Sequence, residues 1–295
     1  MKHESWLAKH AASLAGKTVA VSGSTGGLGK ELCRYLAHLG AQLVLLDRNQ
    51  ERSEAHERAL TAAFPDLSVR RIPLDLADMT SVQKATEKLK ALPLDVFIHN
   101  AGAYSIPRAL TDAGYDNVFQ INFVAPYYMI RELLPTLRAR GGRVVAVGSI
   151  AHRYSKSDAA DVDFRTRRAA SRVYGNAKRY LMASLYELFR EEREASLAIV
   201  HPGITFTGIT AHYPKVIFAI IKHPMKIIFM KPSKAALSPL LGLFVPTEHL
   251  TWIGPRVFDV WGMPRKSRLH SIPKEECKAI AARAQTIYEN LKCKP

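Results

Sequence analysis

Tyr174 and Lys178 lie four residues apart in a stretch of helical period, about 172–193, so their side chains share one helix face. A free phenol titrates near ~10, too high to release its proton readily at neutral pH. An ammonium held beside it favours the phenolate. Such a pair can pass a proton to or from an alcohol or ketone oxygen, and one ribose can touch both side chains. A second pattern implies the nucleotide that would carry the hydride. Thr18-Val19-Ala20-Val21-Ser22 reads as a short strand running into Gly23-Ser24-Thr25-Gly26-Gly27-Leu28-Gly29, with a helix opening inside the loop. Glycines there let the backbone turn sharply and approach a pyrophosphate, whose charge then faces the amides and positive dipole end of the helix. The spacing is GxxxGxG rather than GxGxxG, so a tight turn without a ligand stays open. Asp47 ends the next strand 18 residues beyond Gly29, where a carboxylate can bind adenosine ribose hydroxyls. Arg48 follows, and a guanidinium there could hold a ribose phosphate that Asp47 would repel. Asp47 points to NAD; Arg48 leaves NADP open.

The elements that must position these groups are legible as alternating patterns. Short apolar, β-branched runs near 18–22, 42–46, 68–73, 94–98 and 143–148 alternate with helical periods near 27–40, 50–63, 79–91 and 115–139. That alternation predicts βαβ units and a parallel sheet. The helix at 172–193 is followed by a strand at 196–200, a helix near 233–245, a short strand near 256–260 and a last helix at about 273–291. The fold expected is α/β, a single doubly wound Rossmann-type sheet of about seven strands with helices on both faces. No repeat or low-complexity linker divides the 295 residues, so 1–295 is expected to form one domain.

Composition narrows the class further. With 47% apolar and 23% charged residues the chain can bury a full core. Its formal charge of +16 is concentrated from Thr205 onward, which carries net +9. A negatively charged partner is therefore considered, but no recognition fold or aromatic platform supports nucleic acid. Three cysteines, Cys33, Cys277 and Cys293, with no CxxC spacing suggest neither a disulfide framework nor a metal site. Residues 1–16 are polar and lack the apolar core of a secretory signal, so a cytoplasmic location is expected.

Taken in order, Ser22 to Gly29, Asp75, His99-Asn100-Ala101-Gly102, Asn122, Ser149, Tyr174-Gly175-Asn176-Ala177-Lys178 and Pro202-Gly203 resemble the motifs of the classical short-chain dehydrogenase/reductase family. The match spans roughly Lys17 to Thr207. Singly, Tyr174 could be an amphipathic helix residue, Lys178 a solvated charge, Ser149 a strand-end hydroxyl and Asn122 a helix-kink residue; the ordered set argues for the family. The resemblance implies an NAD(P)-dependent oxidoreductase with a tetrad of Asn122, Ser149, Tyr174 and Lys178. Tyr174 is then the acid in reduction and the base in oxidation, and Ser149 steadies the substrate oxygen. Lys178 binds the nicotinamide ribose, and Asn122 holds a water in a relay from Lys178. By position, Gly23, Ser24, Thr25, Gly27, Leu28 and Gly29 are expected at the pyrophosphate, and Asp47 and Arg48 at the ribose. Asp75 and Leu76 fall near the adenine, Asn100, Ala101 and Gly102 along the adenosine side, and Pro202, Gly203, Thr205 and Thr207 near the carboxamide. Ser22 stands where the family usually has Thr, His99 where it has Asn, and Thr205 where Val is common. Ser22 keeps a hydroxyl for the loop, and His99 reads as a packed structural histidine.

The family's substrate lid falls at about 205–232, and here 212–231 is apolar and cationic together. Its longest apolar run, Val216 to Ile221, is far short of the ~20 residues that cross a bilayer. A lid over a lipophilic substrate, a peripheral contact with an anionic membrane and a homo-oligomer interface all remain open. The long span from Ser149 to Tyr174 resembles the retinol-dehydrogenase-like branch and implies a steroid- or retinoid-like alcohol or ketone. Arg165, Arg167, Arg168 and Arg172 in that span read as a solvated basic face, or as a receiver for an anionic group on the substrate. Rival functions are an NADP-dependent reductase of a carbonyl or conjugated double bond, and a nucleotide sensor without catalysis.

Overall fold

The computed structural model describes residues 3–205 and 229–293. Thr207 and the portion 206–228 of the expected lid lie outside the described residues. The runs read as strands form β1 (Thr18–Ser22), β2 (Gln42–Asp47), β3 (Val69–Pro73), β4 (Leu94–His99), β5 (Arg143–Val147) and β6 (Ser196–Val200). The sheet has eight strands in the order β3-β2-β1-β4-β5-β6-β7-β8, one more than expected. All neighbours pair parallel except β7 (Thr251–Val257) and β8 (Trp261–Arg268), an antiparallel hairpin at one edge.

That hairpin corrects the single strand expected at 256–260. Phe258 and Asp259 form its turn with φ of 51° and 60°, and the Val260 amide closes it onto the Val257 carbonyl. Pro255 and Pro264, which argue against strand in a sequence, sit opposite one another. Pairing between β6 and β7 covers only Ile199 with Trp252 and Val200 with Ile253, so Pro255 lies beyond it.

Helices α2 (Gly27–His38) and α3 (Gln50–Ala63) follow the first two strands, and α4 (Met79–Lys90) follows β3; a short N-terminal helix, α1 (Glu4–His10), was not expected from its polar sequence. Asp78 caps α4 by accepting from the Thr80 amide, as its sequence position implies. The helix expected at 115–139 begins as a single turn, α5 (Asn117–Phe119), widens into a π segment at Gln120–Val124, then continues as α6 (Ala125–Arg138). Pro126 explains the widening. It has no N–H to give the carbonyl of Asn122 one turn back, and the Ala125 amide bonds to Gln120 in the i→i+5 pattern. A 3-10 turn at Ile150–Tyr154 and the long α7 (Ala170–Leu188) follow β5, and α8 (Pro232–Ala235) and α9 (Leu237–Phe244) precede the hairpin.

One face of the sheet packs on α4, α6, α7 and the C-terminal helix α10 (Lys274–Lys292), around Phe97, Phe119, Phe123, Tyr180 and Trp252. The other packs on α2, α8 and α9 around Leu32, Leu36, Leu43, Leu45 and Leu240. Helix α10 is clasped by a nearly buried ion pair, with Arg179 Nε of α7 donating to Glu276 Oε1 at 2.7 Å. Burial disfavours the charged Glu276 carboxylate, but the Arg179 bonds and the Ser157 amide outweigh that and hold it down to about 2.

A depressed carboxylate contributes stability above its unfolded value and loses it as pH falls through the folded value. The thermal midpoint should therefore decline between about pH 5 and pH 2. Glu276→Gln should lower stability at pH 7 by on the order of 3 kcal/mol and flatten that acid limb; an unchanged acid limb in thermal scans would show that this pair does not set it.

Candidate functional site

A continuous cleft of about 650 Å³ opens at the carboxyl ends of the parallel strands, where β1 and β4 lie side by side but the chain has crossed to opposite halves of the sheet. At the end of β1, Gly23 has φ of +68°, and a Cβ there would stand 2.9 Å from Ala101 Cα. At Gly29 a Cβ would meet the Gly23 carbonyl oxygen at 2.2 Å, so loop and helix close on each other only without side chains. No side chain caps the start of α2, and Gly26 to Gly29 at that start line the cleft.

The β1 and β4 ends are tied by Ser22. Its hydroxyl oxygen accepts from the Asn100 and Ala101 amides, both at 3.1 Å, and lies 3.2 Å from His99 Nδ1. The Asn100 side chain donates to the Ser22 and Gly23 carbonyls at 3.0 Å each, so Asn100 braces the loop as well as lining the cleft. His99 is fully buried and burial holds its pKa well below the usual range, consistent with a neutral structural imidazole.

Asp47 behaves differently from its sequence reading. Oδ1 accepts from the Thr25 amide and hydroxyl, each at 3.0 Å, while Oδ2 accepts from the Ser24 hydroxyl and, at 3.1 Å, the Ser53 hydroxyl. Four donors use the carboxylate's acceptor capacity, and the residue is only 3% exposed. Ser24, expected against the pyrophosphate, is instead wholly buried with its hydroxyl on Asp47. Arg48 and Arg52 line the same end of the cleft, and Arg52 Nη2 donates to the Thr25 carbonyl at 3.2 Å. Arg52 sits in the first turn of α3 and Arg48 just ahead of that helix.

Across the cleft, α7 carries Tyr174 and Lys178 on one face, with Nζ 5.7 Å from the Tyr174 ring centroid. Lys178 is buried and donates to the Val147 carbonyl at 2.8 Å; burial pulls its ammonium down to about 7. Tyr174 is pushed up to about 12, by burial first, with a Ser149 hydrogen bond pulling the other way and Tyr104 adding to the rise. The sequence implies a lowered phenol; here burial outweighs the Ser149 hydrogen bond and the phenol is raised. Behind Gly102, Asn122 is fully buried, accepting from the Ala103 amide at 3.3 Å and donating to the Ala103 and Val118 carbonyls at 2.7 and 2.8 Å. A Cβ on Gly102 would lie 2.8 Å from Asn122 Oδ1 and 3.8 Å from Lys178 Nζ, so only glycine fits between these side chains and the cleft.

The cleft thus gathers Gly23, Thr25, Gly27, Leu28, Gly29, Asp47, Arg48, Asp75, Leu76, Asn100, Ala101, Gly102, Ser149, Tyr174, Lys178, Pro202, Gly203 and Thr205. Ser24 and Asn122 stand behind its wall. Tyr104, Tyr154, His201 and Phe229 also line it and were not anticipated. The Tyr104 ring meets Tyr174 edge-on at 5.3 Å. In the basic span, Arg165 and Arg167 pair with Asp163 and Asp158, while Arg168 and Arg172 are exposed. No helix among the described residues is long and apolar enough to cross a membrane, and no cluster of metal-binding side chains occurs among them.

Residues 17–215 match the sequence profile of the family described as short chain dehydrogenase. The chain is similar to polyprenol dehydrogenase of Mus musculus, 29% identical over 252 residues that cover 82% of this chain and 75% of that one. It is similar to retinol dehydrogenase 13 of Homo sapiens, 26% identical over 281 residues, 92% of this chain and 83% of the other. A crystal structure of an uncharacterized protein from Mycobacterium Paratuberculosis superposes with a TM-score of 0.74 at 25% identity, covering 95% and 94% of the two chains. L-Sorbose reductase from Gluconobacter frateurii, complexed with NADPH and L-sorbose, shares the fold with a TM-score of 0.61 at 20% identity over 79% and 91%.

Because Asp47 anchors the loop, Asp47→Ala should weaken binding of NAD and NADP alike and lower the thermal midpoint, with a cost of roughly 1–3 kcal/mol for its orphaned donors. Fluorescence titration with both nucleotides checks this; loss of NAD binding alone would return Asp47 to the role of ribose acceptor.

Proposed function

The chain belongs to the short-chain dehydrogenase family and is an NAD(P)-dependent oxidoreductase; on that premise we propose that it interconverts a lipophilic alcohol and its ketone or aldehyde with NADP, using Asn122, Ser149, Tyr174 and Lys178. The observation that carries this reading is the convergence of Ser149, Tyr174 and Lys178 on the wall of one cleft whose opposite end is a capless helix start.

The residues present fit a dinucleotide. Gly23 and Gly29 let the loop approach a pyrophosphate, and the leading amides of α2 would donate to it. Asp75 and Leu76 would flank the adenine, Asn100 to Gly102 the adenosine side, Lys178 the nicotinamide ribose, and Pro202, Gly203 and Thr205 the carboxamide. When bound, the nicotinamide supplies or accepts the hydride. The sequence points to NAD through Asp47, yet that carboxylate is saturated by Ser24, Thr25 and Ser53 and has no acceptor left for ribose hydroxyls. Arg48 and Arg52 at the same end would pair with a 2′-phosphate, which supports NADP.

The remaining chemistry belongs to the side chains. Tyr174, protonated at neutral pH, donates its proton to the substrate oxygen as charge develops there during reduction. Ser149 shares a hydrogen bond with that oxygen and keeps it within reach of the phenol. Lys178 holds its ammonium beside the tyrosine and stabilises the phenolate left behind. Asn122, at the π segment whose carbonyl Pro126 cannot serve, holds the loop carrying Ala103 and orders the path by which a proton returns to Lys178. Tyr104, Ile150, Tyr154, Ile204 and Phe229 give the substrate end an apolar and aromatic wall. The names of two similar proteins, polyprenol dehydrogenase and retinol dehydrogenase 13, are those of isoprenoid-alcohol enzymes and support the same class.

Tyr174→Phe should fold and bind nucleotide but turn over ~100-fold or more slowly. Absorbance at the reduced-nicotinamide band, screened over retinoids, steroids, isoprenoid alcohols and simple sugars, tests this together with substrate class; near-wild-type rates would remove the tyrosine from the mechanism. Replacing both Arg48 and Arg52 by Ala should weaken NADP by roughly 100-fold while leaving NAD nearly unchanged, and equal losses for both nucleotides would argue against a phosphate-selecting pair.

A further inference from the structure

Ser149 is held through its backbone as well as through its hydroxyl. Its carbonyl accepts from the His152 amide at 3.2 Å and meets His152 Nδ1 at 2.5 Å, and its Oγ accepts from the Ala151 amide at 3.2 Å. The His152 ring is wholly buried, edge-on to Trp252. A carbonyl oxygen cannot donate, so Nδ1 must carry the proton, and Nε2 is then the acceptor for the Ser271 hydroxyl 2.5 Å away. Ser271 lies between β8 and α10, far from Ser149 in sequence. A single guanidinium spans both partners: Arg179 Nη1 donates to the His152 carbonyl at 3.0 Å and the Ser271 carbonyl at 3.4 Å. Arg179 follows Lys178 on α7, and Glu276 of the C-terminal helix fixes it.

From this connected set we infer that His152 is a positioning residue: as a neutral Nδ1–H imidazole it sets the Ser149 hydroxyl relative to Tyr174 and transmits the docking of the C-terminal segment, through Ser271, to the site. The inference rests on the proposed roles of Ser149 and Tyr174. Its physical reason is that a hydroxyl at the end of a strand rotates with its peptide unit, and displacement of a reacting group by about 1 Å can cost ~100-fold in rate. Two bonds on one carbonyl remove that freedom. A purely structural histidine would predict lost stability without a selective effect on turnover.

Three variants and one spectrum separate these outcomes. His152→Phe fills the ring's volume without the donor; it should keep nucleotide affinity and KM near wild type while kcat falls by roughly 10–100-fold. His152→Asn returns an N–H near the position of Nδ1 and should recover most of that loss. Ser271→Ala should lower kcat by about 3–10-fold with KM held. Nitrogen-15 spectra of histidine-labelled protein, taken without substrate or nucleotide, should show His152 as the Nδ1–H tautomer; an Nε2–H ring would overturn the inference whatever the kinetics. Unchanged kcat in His152→Phe, or equal losses in His152→Phe and His152→Asn, would also overturn it. Tyr174→Phe measured alongside keeps the two claims apart. An inactive Tyr174→Phe beside a fully active His152→Phe refutes only the positioning role, whereas an active Tyr174→Phe refutes the tyrosine mechanism and leaves the tautomer to decide the contact.

Discussion

Two parallel strands that are neighbours in space but lead into opposite halves of a sheet leave a gap at their carboxyl ends, and backbone amides line that gap. The tie across it here is the Ser22 hydroxyl, which takes the amides of Asn100 and Ala101 and keeps the two strand ends in register. Around this tie the glycine loop closes, Asn100 folds back on the loop carbonyls, and Gly102 comes to rest against Asn122. The loop's shape, the access of α2's leading amides and the position of Asn122 all follow from that small crossing. The serine in place of threonine is sufficient because the hydroxyl, and not the methyl, makes the bonds.

Electrostatics divides the cleft into two regimes. At the loop end, a buried carboxylate is saturated by neutral donors, while Arg48 and Arg52 line the cleft beside it and Arg52 donates to the Thr25 carbonyl. At the other end, the Lys178 ammonium is buried and the Tyr174 phenol half-buried, and each is shifted toward its neutral form. On the proposed mechanism, a phenol that keeps its proton is suited to giving it to a developing alkoxide. The ammonium would then gain most by its proximity when the phenolate appears, because attraction strengthens in low dielectric. On that reading the charges favour a transient state more than the resting one.

Six strands and their intervening helices were legible from the sequence because alternation of β-branched runs with helical periods is a local signal. The hairpin at the sheet edge was not, since Pro255 and Pro264 speak against strand unless it is known that they face each other beyond the neighbouring strand. The polar N-terminal helix gave no apolar period to read. In the site, Tyr174 with Lys178 and the glycine loop were visible as spacings, whereas Tyr104 and His201, beyond the ends of β4 and β6, and Phe229, ahead of α8, meet only in the folded chain. The direction of Asp47 could not be read locally either. Whether a carboxylate serves a ligand or its own loop depends on where the hydroxyls of Ser24, Thr25 and Ser53 arrive.

The π segment at Gln120–Val124 has a consequence for how this chain tolerates change in length. A widened turn holds one surplus residue, and each residue of an α-helix advances the face by about 100°. Removal of one residue between Phe119 and Pro126 would let the turn tighten to ordinary spacing with the helix on either side still facing the same way, whereas a loss from the regular turns of α6 would swing one side around the cylinder by about that angle. The bulge is thus a slack turn: a single-codon loss there would erase the widening and spare the orientation of the flanking helix.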